Sequence, residues 1–151
     1  MAGGEWDVMR CSMKDIFRVN KVVDDDSVHI PINGYACKDP GLMAYRLLKN
    51  TGIVVLMPND GCVAIGTPHN EFIYHFHIGV LPEYRGKIAV SAFKEAAQWV
   101  FANTTCKKIV GLEPAIRKDA VRFIRLLGFE REGLLKNACP TGDVVVLGLC
   151  A

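Results

Sequence analysis

Residues 71–81 alternate between two kinds of side chain. Apolar residues stand at 72, 74, 76, 78 and 80, with Ile73, His75, His77 and Gly79 between them. Successive side chains of a strand point to opposite faces, so this period of two predicts a strand with one apolar and one more polar face. After a glycine-containing turn at 82–87, apolar residues at 93, 96, 97, 100 and 101 recur at helical spacing. The strand and the amphipathic helix together predict an α/β fold.

The remaining periodicity predicts a mixed, mostly antiparallel sheet of seven strands or slightly fewer, flanked by helices. The turn Pro-Asn-Asp-Gly at 58–61 predicts a hairpin of strands 53–57 and 62–67. Helices are predicted at 13–20, with Ile16 and Phe17 facing inward, and between Asp39 and Gly52. The acidic run 24–26 predicts a solvated loop, with magnesium binding as the alternative. Further strands are expected at 107–113, 130–138 and 143–150, with a second amphipathic helix at 117–127.

Composition excludes several classes of protein. Half of the 151 residues are apolar, which excludes intrinsic disorder, and the formal net charge of +2 gives no global attraction to nucleic acid or membrane. No linker or shift in composition divides the chain, so we expect one domain over 1–151. No apolar stretch approaches membrane-spanning length, and the acidic start does not resemble a signal peptide, so a cytoplasmic protein is expected.

The six cysteines stand at 11, 37, 62, 106, 139 and 150. None forms a Cys-x-x-Cys pair, and no Cys/His group has the usual spacing of zinc ligands. We therefore expect reduced thiols and no metal site.

Three stretches of the second half carry a family resemblance. They are VLPEYRGK at 80–87, Ala120-x-x-Phe123 followed by Leu127-Gly128-Phe129, and EGLLK at 132–136 with the closing strand 144–149. Over residues 71–151 the chain resembles the GNAT superfamily of acetyl-CoA-dependent N-acyltransferases, in particular its ribosomal-protein acetyltransferase branch. The resemblance implies a central pair of strands that splays apart after Val80, with acetyl-CoA as cosubstrate.

The resemblance also implies where the cosubstrate binds. A helix N-terminus exposes unpaired N–H groups and partial positive charge, which suits a pyrophosphate, and glycine allows close approach of the backbone. The expected binding groups are strand backbone and loop amides, with the charges of two basic side chains. They belong to Ile78, Val80, Arg85, Gly86, Lys87, Ile88, Ala89 and Val90.

Acetyl transfer to an amine requires a base, because the amine must lose a proton. The strand 71–81 and the strand end at Glu113 border the acceptor cleft in the family. The candidate bases are therefore Glu71, His75, His77 and Glu113. A tyrosine and an asparagine common in the family are replaced here by Ile124 and Arg117. Cys139 and Tyr84 are the candidate acids, and the acceptor is an amine such as a protein N-terminus or a polyamine-like molecule.

Alternatives remain open at several positions. The two histidines can be packed or surface residues, and two without a third ligand do not make a metal site. Lys118, Arg122 and Arg125 share one helix face, which is either solvated or contacts the 3′-phosphate of the cosubstrate or nucleic acid.

The loop also departs from the family pattern by one glycine. Either Ile88 and Val90 occupy the glycine positions, or one residue is deleted. The missing glycine and tyrosine favour an alternative function, a catalytically inactive GNAT-fold protein that takes part in assembly, for example of phage heads.

Overall fold

The computed structural model describes residues 9–33 and 35–151, without the side chain of Ile32. Five α-helices and six strands follow one another along this part of the chain. The helices are α1 (Ile16–Val23), α2 (Asp26–Asn33), α3 (Leu42–Lys49), α4 (Lys87–Asn103) and α5 (Lys118–Leu126). The strands are β1 (Val54–Asn59), β2 (Cys62–Pro68), β3 (Ile73–Val80), β4 (Lys108–Pro114), β5 (Glu130–Cys139) and β6 (Gly142–Cys150).

The six strands form one sheet in the order β1-β2-β3-β4-β6-β5. Only the central pair β3 and β4 is parallel, and every other pair is antiparallel. The α/β class and the mixed, mostly antiparallel sheet flanked by helices are thereby confirmed. Beside β1, Arg10 makes a single antiparallel bridge to Leu56.

The alternation of side chains along the strands gives the sheet two apolar faces. On one face, Tyr74, Phe76, Ile78 and Val80 pack against a core that includes α4 and α5. The opposite face is covered by α1, α2 and α3, which pack on β1 and β2 through residues such as Val55 and Ile65. The helices of the first half thus complete a second core on the same sheet.

The central strands separate along their length. Parallel pairing of β3 with β4 covers only Ile73, Tyr74 and His75, opposite Lys108 to Val110. The pairing ends at His75, whereas the antiparallel pairing of β3 with β2 continues to Val80. The splay implied by the resemblance is therefore present, but it opens five residues before the predicted point at Val80. Backbone groups of β3 beyond His75 that point away from β2 lack a strand partner.

Two predictions for the first half need correction. The acidic run is a solvated loop only in part: Asp24 and Asp25 form the turn between α1 and α2, but Asp26 begins α2 and Asp24 accepts a 2.8 Å hydrogen bond from the backbone N–H of Gly41. Phe17 does not face inward but is 84% exposed. The helix extends to Val23, and its buried side is formed by Val19, Val22 and Val23. An aromatic residue two positions before Val19 lies about 200° around the helix from it.

Candidate active site

The gap between β3 and β4 opens into a cavity of about 240 Å³, which we call the wedge cavity. It reaches both sheet faces, since α2 contributes residues from one side and α5 from the other. The strands contribute Ile78, Gly79, Val80 and Glu113, and the loop before α4 with its first turn contributes Arg85, Gly86 and Ala89. The helices α2 and α5, with Arg117 before α5, contribute Ser27, Val28, Pro31, Arg117, Asp119, Ala120, Phe123 and Ile124.

The N-terminus of α4 borders the wedge cavity with unpaired backbone donors. Gly86 precedes the helix at φ +86°, a conformation that glycine adopts without steric cost. The amide of Val90 donates to the carbonyl of Gly86 at 3.1 Å as the first bond of the helix. The amides of Lys87, Ile88 and Ala89 therefore precede the first helical bond, as at any helix start. Arg85 donates its amide to Pro82 at 3.3 Å.

The residue at the position of the missing glycine does not obstruct this N-terminus. The side chain of Ile88 is 53% exposed and lies beside Pro58 and Asn59, outside the wedge cavity. Ala89, which is small and buried, lines the cavity instead. Open space also lies in front of Gly86, where an added Cβ would meet nothing within 4 Å.

Glu113 is the acidic candidate that lines the wedge cavity. Its carboxyl oxygen Oε1 lies 3.0 Å from Nη1 of Arg117, yet no aligned hydrogen bond reaches that buried oxygen from the described residues. Burial raises the pKa of Glu113, and the neighbouring guanidinium of Arg117 partly opposes the rise. A buried carboxylate with a raised pKa and an unsatisfied acceptor has the properties of a general base.

The two histidines lie together on the sheet face opposite the core that contains α4. Their ring centroids are 4.7 Å apart, and neither residue lines the wedge cavity. Partial burial lowers the pKa of both rings, and the neighbouring charge of His77 lowers that of His75 further. The buried Nε2 of His75 has no hydrogen-bond partner among the described residues. His75 lies where β3 and β4 part, at the closed end of the wedge.

The remaining candidates lie elsewhere. Glu71 is exposed before β3, whose first residue Ile73 lies about 23 Å along the strand from Val80, and its carbonyl accepts a hydrogen bond from Thr105. Tyr84 packs its ring over Gly61, where an added Cβ would lie 2.0 Å from the ring. Cys139 is the last residue of β5, with Sγ 3.3 Å from the hydroxyl of Thr141. The structure therefore brings Glu113, but none of these three, to the wedge cavity.

The basic residues Lys118, Arg122 and Arg125 are exposed on α5, and none of them lines the wedge cavity. The basic residues that line the wedge cavity are Arg85 and Arg117. In the sequence, Arg117 was noted only as a departure from the family pattern. Ser27, Val28 and Pro31 were missed as cavity residues because the sequence did not predict α2. The available signal was Asp25 as a helix cap, because its side chain accepts the N–H of Ser27 at 3.0 Å.

A family model described as the acetyltransferase (GNAT) family matches residues 25–129. No curated protein matches the chain significantly. Among the described residues, no helix combines the length and the apolar character needed to cross a membrane.

Solved structures resemble the fold at low sequence identity. A spermidine N-acetyltransferase from Vibrio cholerae, solved with CoA and spermine, has a TM-score of 0.74 at 17% identity, covering 93% of this chain and 92% of the other. The ribosomal-protein-S5-alanine acetyltransferase from Vibrio fischeri has a TM-score of 0.69 at 16% identity, with coverages of 93% and 90%. A GNAT-family acetyltransferase from Bacillus anthracis has a TM-score of 0.72 at 17% identity, with coverages of 91% and 89%.

Proposed function

Because the family model covers most of its length, the chain belongs to the GNAT acetyltransferase family, and we propose that it transfers an acetyl group from acetyl-CoA to a primary amine. The observation that carries the proposal is the wedge cavity. It joins a helix N-terminus with unpaired amides to a buried carboxylate. The relatives named for spermidine and for the S5 protein act on amines, and they share the fold. No comparison supports the alternative of an inactive assembly protein.

The residues present suit acetyl-CoA. The amides of Lys87, Ile88 and Ala89, with Arg85 at the cavity wall, suit the pyrophosphate, since a helix N-terminus attracts anions. The unpaired backbone edge of β3 at Ile78 and Val80 suits the amide groups of the pantetheine arm. Gly86 allows the backbone to come close to phosphate oxygens.

Glu113 acts as the general base in this proposal. The thioester supplies an activated acetyl group, whose C–S bond breaks as the amine nitrogen forms a C–N bond. Glu113 accepts the proton that the attacking nitrogen loses, and Arg117 stabilises its ionised form. Ile124, at the position of the family tyrosine, has no proton to donate. The departing thiolate therefore takes its proton from solvent.

The first test is thermal unfolding with and without acetyl-CoA. At about 100 times its dissociation constant, a ligand stabilises the native state by about 2.7 kcal/mol. For a chain of this length that raises Tm by about 5–10 °C. Analogues of acetyl-CoA that lack a phosphate or the pyrophosphate are compared in the same assay. The difference in their effect on Tm measures how much the helix N-terminus contributes to binding. A cooperative unfolding transition that acetyl-CoA does not move would contradict the proposal.

The second test is transfer itself. Release of free CoA thiol is followed with spermidine and with a peptide that begins with alanine, and the acetylated product is identified by mass. Thiol release that depends on either amine supports transfer and identifies the acceptor class. Binding without turnover of any primary amine would reject the catalytic part alone.

A further inference from the structure

Three side chains of different chemistry meet away from the wedge cavity, at the ends of the helices of the first half. Asp24 follows α1, His29 lies in α2, and Cys37 lies in the segment before α3. One carboxylate oxygen, one ring nitrogen and the thiol sulfur all lie within 4.8 Å of one another. We call these three residues the Asp-His-Cys cluster.

Two of the three residues in this cluster carry a buried polar atom without a hydrogen-bond partner among the described residues. His29 is only 6% exposed, and its Nε2 has no hydrogen-bond partner among the described residues. The Oδ1 atom of Asp24 likewise has no hydrogen bond of good geometry among the described residues, while the thiol of Cys37 interacts with this carboxylate. An unpaired buried polar group destabilises the folded state, so two of them in one cluster need a physical explanation such as a bound ion.

Hydrogen bonds orient both groups. The Nδ1 of His29 lies 3.1 Å from the carbonyl oxygen of Val23, which requires Nδ1 to carry the proton and leaves the lone pair on Nε2. The other oxygen of Asp24, Oδ2, accepts the backbone N–H of Gly41 at 2.8 Å. Metal-binding histidines and carboxylates are commonly held by such contacts on their second polar atom.

We propose that Asp24, His29 and Cys37 bind a zinc ion. Thiolate sulfur, imidazole nitrogen and carboxylate oxygen are the ligands that Zn²⁺ takes in proteins, whereas Mg²⁺ and Ca²⁺ select oxygen alone. Tetrahedral coordination puts neighbouring ligand atoms about 3.3–3.8 Å apart. The cluster therefore has to contract by about 1 Å. Three protein ligands leave the fourth position to water, and His29, Asn33 and Tyr35 line a groove at the edge of the cluster.

The zinc ion would hold α2 in position. Asp24 and Cys37 lie on either side of α2, and that helix supplies Ser27, Val28 and Pro31 to the wedge cavity. The ion would thus fix one wall of the cavity without touching the reacting groups. The inference does not depend on acetyl transfer. The sequence predicted no metal site because the three ligands have four and seven residues between them and include no cysteine pair.

Cobalt titration of the full chain tests the proposal, since Co²⁺ bound to thiolate in a tetrahedral site absorbs in the visible and shows a sulfur-to-metal charge-transfer band. The protein is first dialysed against a chelator. We expect one Co²⁺ per chain, with a charge-transfer band that Zn²⁺ abolishes on addition. Cys37→Ser should lose the band, and Cys150→Ser, an exposed cysteine on β6, should keep it. Absence of binding, or a band that survives in Cys37→Ser, would overturn the proposal.

A second variant separates binding from folding. Asp24→Asn retains an oxygen that can accept the N–H of Gly41 but loses the charge, so we expect Zn²⁺ affinity to fall at least about tenfold while the metal-free protein unfolds as the parent does. Unfolding of the parent with saturating Zn²⁺ should show a raised Tm, and this rise should be absent in Cys37→Ser. An equal rise in Cys37→Ser would indicate that zinc binds elsewhere.

Discussion

The guanidinium Nη1 of Arg117 lies 3.0 Å from Oε1 of Glu113, where the chain passes from β4 towards α5 at the wall of the wedge cavity. The carboxylate is 16% exposed and the guanidinium 42% exposed. The cation therefore stabilises the ionised acid from the solvent side, while burial favours the neutral acid. The balance between these effects determines the pH at which Glu113 can accept a proton.

Replacement of Glu113 by Gln should lower kcat for amine acetylation by about 100-fold or more, because the base is lost while the shape of the side chain is kept. Glu95→Gln, an exposed residue on α4, is the matched control. Burial raises the pKa of Glu113, so activity of the parent should fall with decreasing pH at a higher pH than for an ordinary carboxyl. A Gln variant with parental kcat would exclude Glu113 as base.

Replacement of Arg117 by Met should move the acidic limb of the pH–rate profile to higher pH. The guanidinium lowers the pKa of Glu113, and its removal lets the pKa rise further. Arg117→Lys keeps a positive charge and should shift the limb less. The measurement is kcat/KM against pH for the parent, Arg117→Met and Arg117→Lys. If the acidic limb of Arg117→Met lies at the same pH as in the parent, this ion pair does not determine activity.

Replacement of Arg85 by Glu should weaken acetyl-CoA binding at least about tenfold, since a hydrogen bond to a charged group contributes about 1.5–3 kcal/mol. Lys94→Glu makes the same charge change on the exposed side of α4 and should have little effect. Ile88→Ala should also leave affinity unchanged, because that side chain points away from the cavity. Calorimetric titration measures all three. Equal weakening by Arg85→Glu and Lys94→Glu would indicate a general charge effect.

Replacement of His75 by Gln should reduce the loss of stability in acid. The folded pKa of His75 lies below its ordinary value, so below about pH 6.5 the unfolded chain binds more protons than the folded one. Stability therefore falls as the pH decreases from about 6.5 to the folded pKa. Urea unfolding from pH 7 to 5 measures this slope. His69→Gln, at an exposed position, should retain the slope of stability against pH. If His75→Gln has the same slope as the parent, His75 is not the group responsible.

Replacement of Gly79 by Ala should destabilise the protein by about 1–3 kcal/mol, because the new Cβ would lie 2.5 Å from Cγ1 of Val28 and push α2 from the sheet. A fall in Tm of about 2–4 °C per kcal/mol is expected. Gly111→Ala on β4 is the control, since its Cβ would meet nothing within 4 Å. Equal losses in the two variants would indicate that strand conformation, and not contact with α2, is responsible.

Much of the chain after residue 52 could be predicted because its signals are local. Alternation along 71–81, the Asn59–Gly61 turn and the apolar stripe of α4 each depend on neighbours in sequence. All three are present in the structure, where the side chain of Asn59 accepts the amide of Gly61 at 2.9 Å. The first half was less predictable. The aspartates at 24–26 indicated a loop, so the start of α2 at Asp26 was not predicted. The inward residues of α1 depend on where that helix packs on β2.

The sequence by itself determined all six strands and every helix except α2, the family resemblance, and the residues able to accept a proton or meet a phosphate. These follow from periodicity, turn chemistry and side-chain type. Only the tertiary structure distinguished Glu113, which lines the cavity, from His75, His77 and Glu71, which do not. It also showed that β3 and β4 separate at His75, that the side chain of Ile88 points outward, and that Asp24, His29 and Cys37 lie close together. The physical reason is that burial, pKa shifts and ligand geometry depend on contacts between residues distant in sequence or on separate elements, which no local pattern encodes.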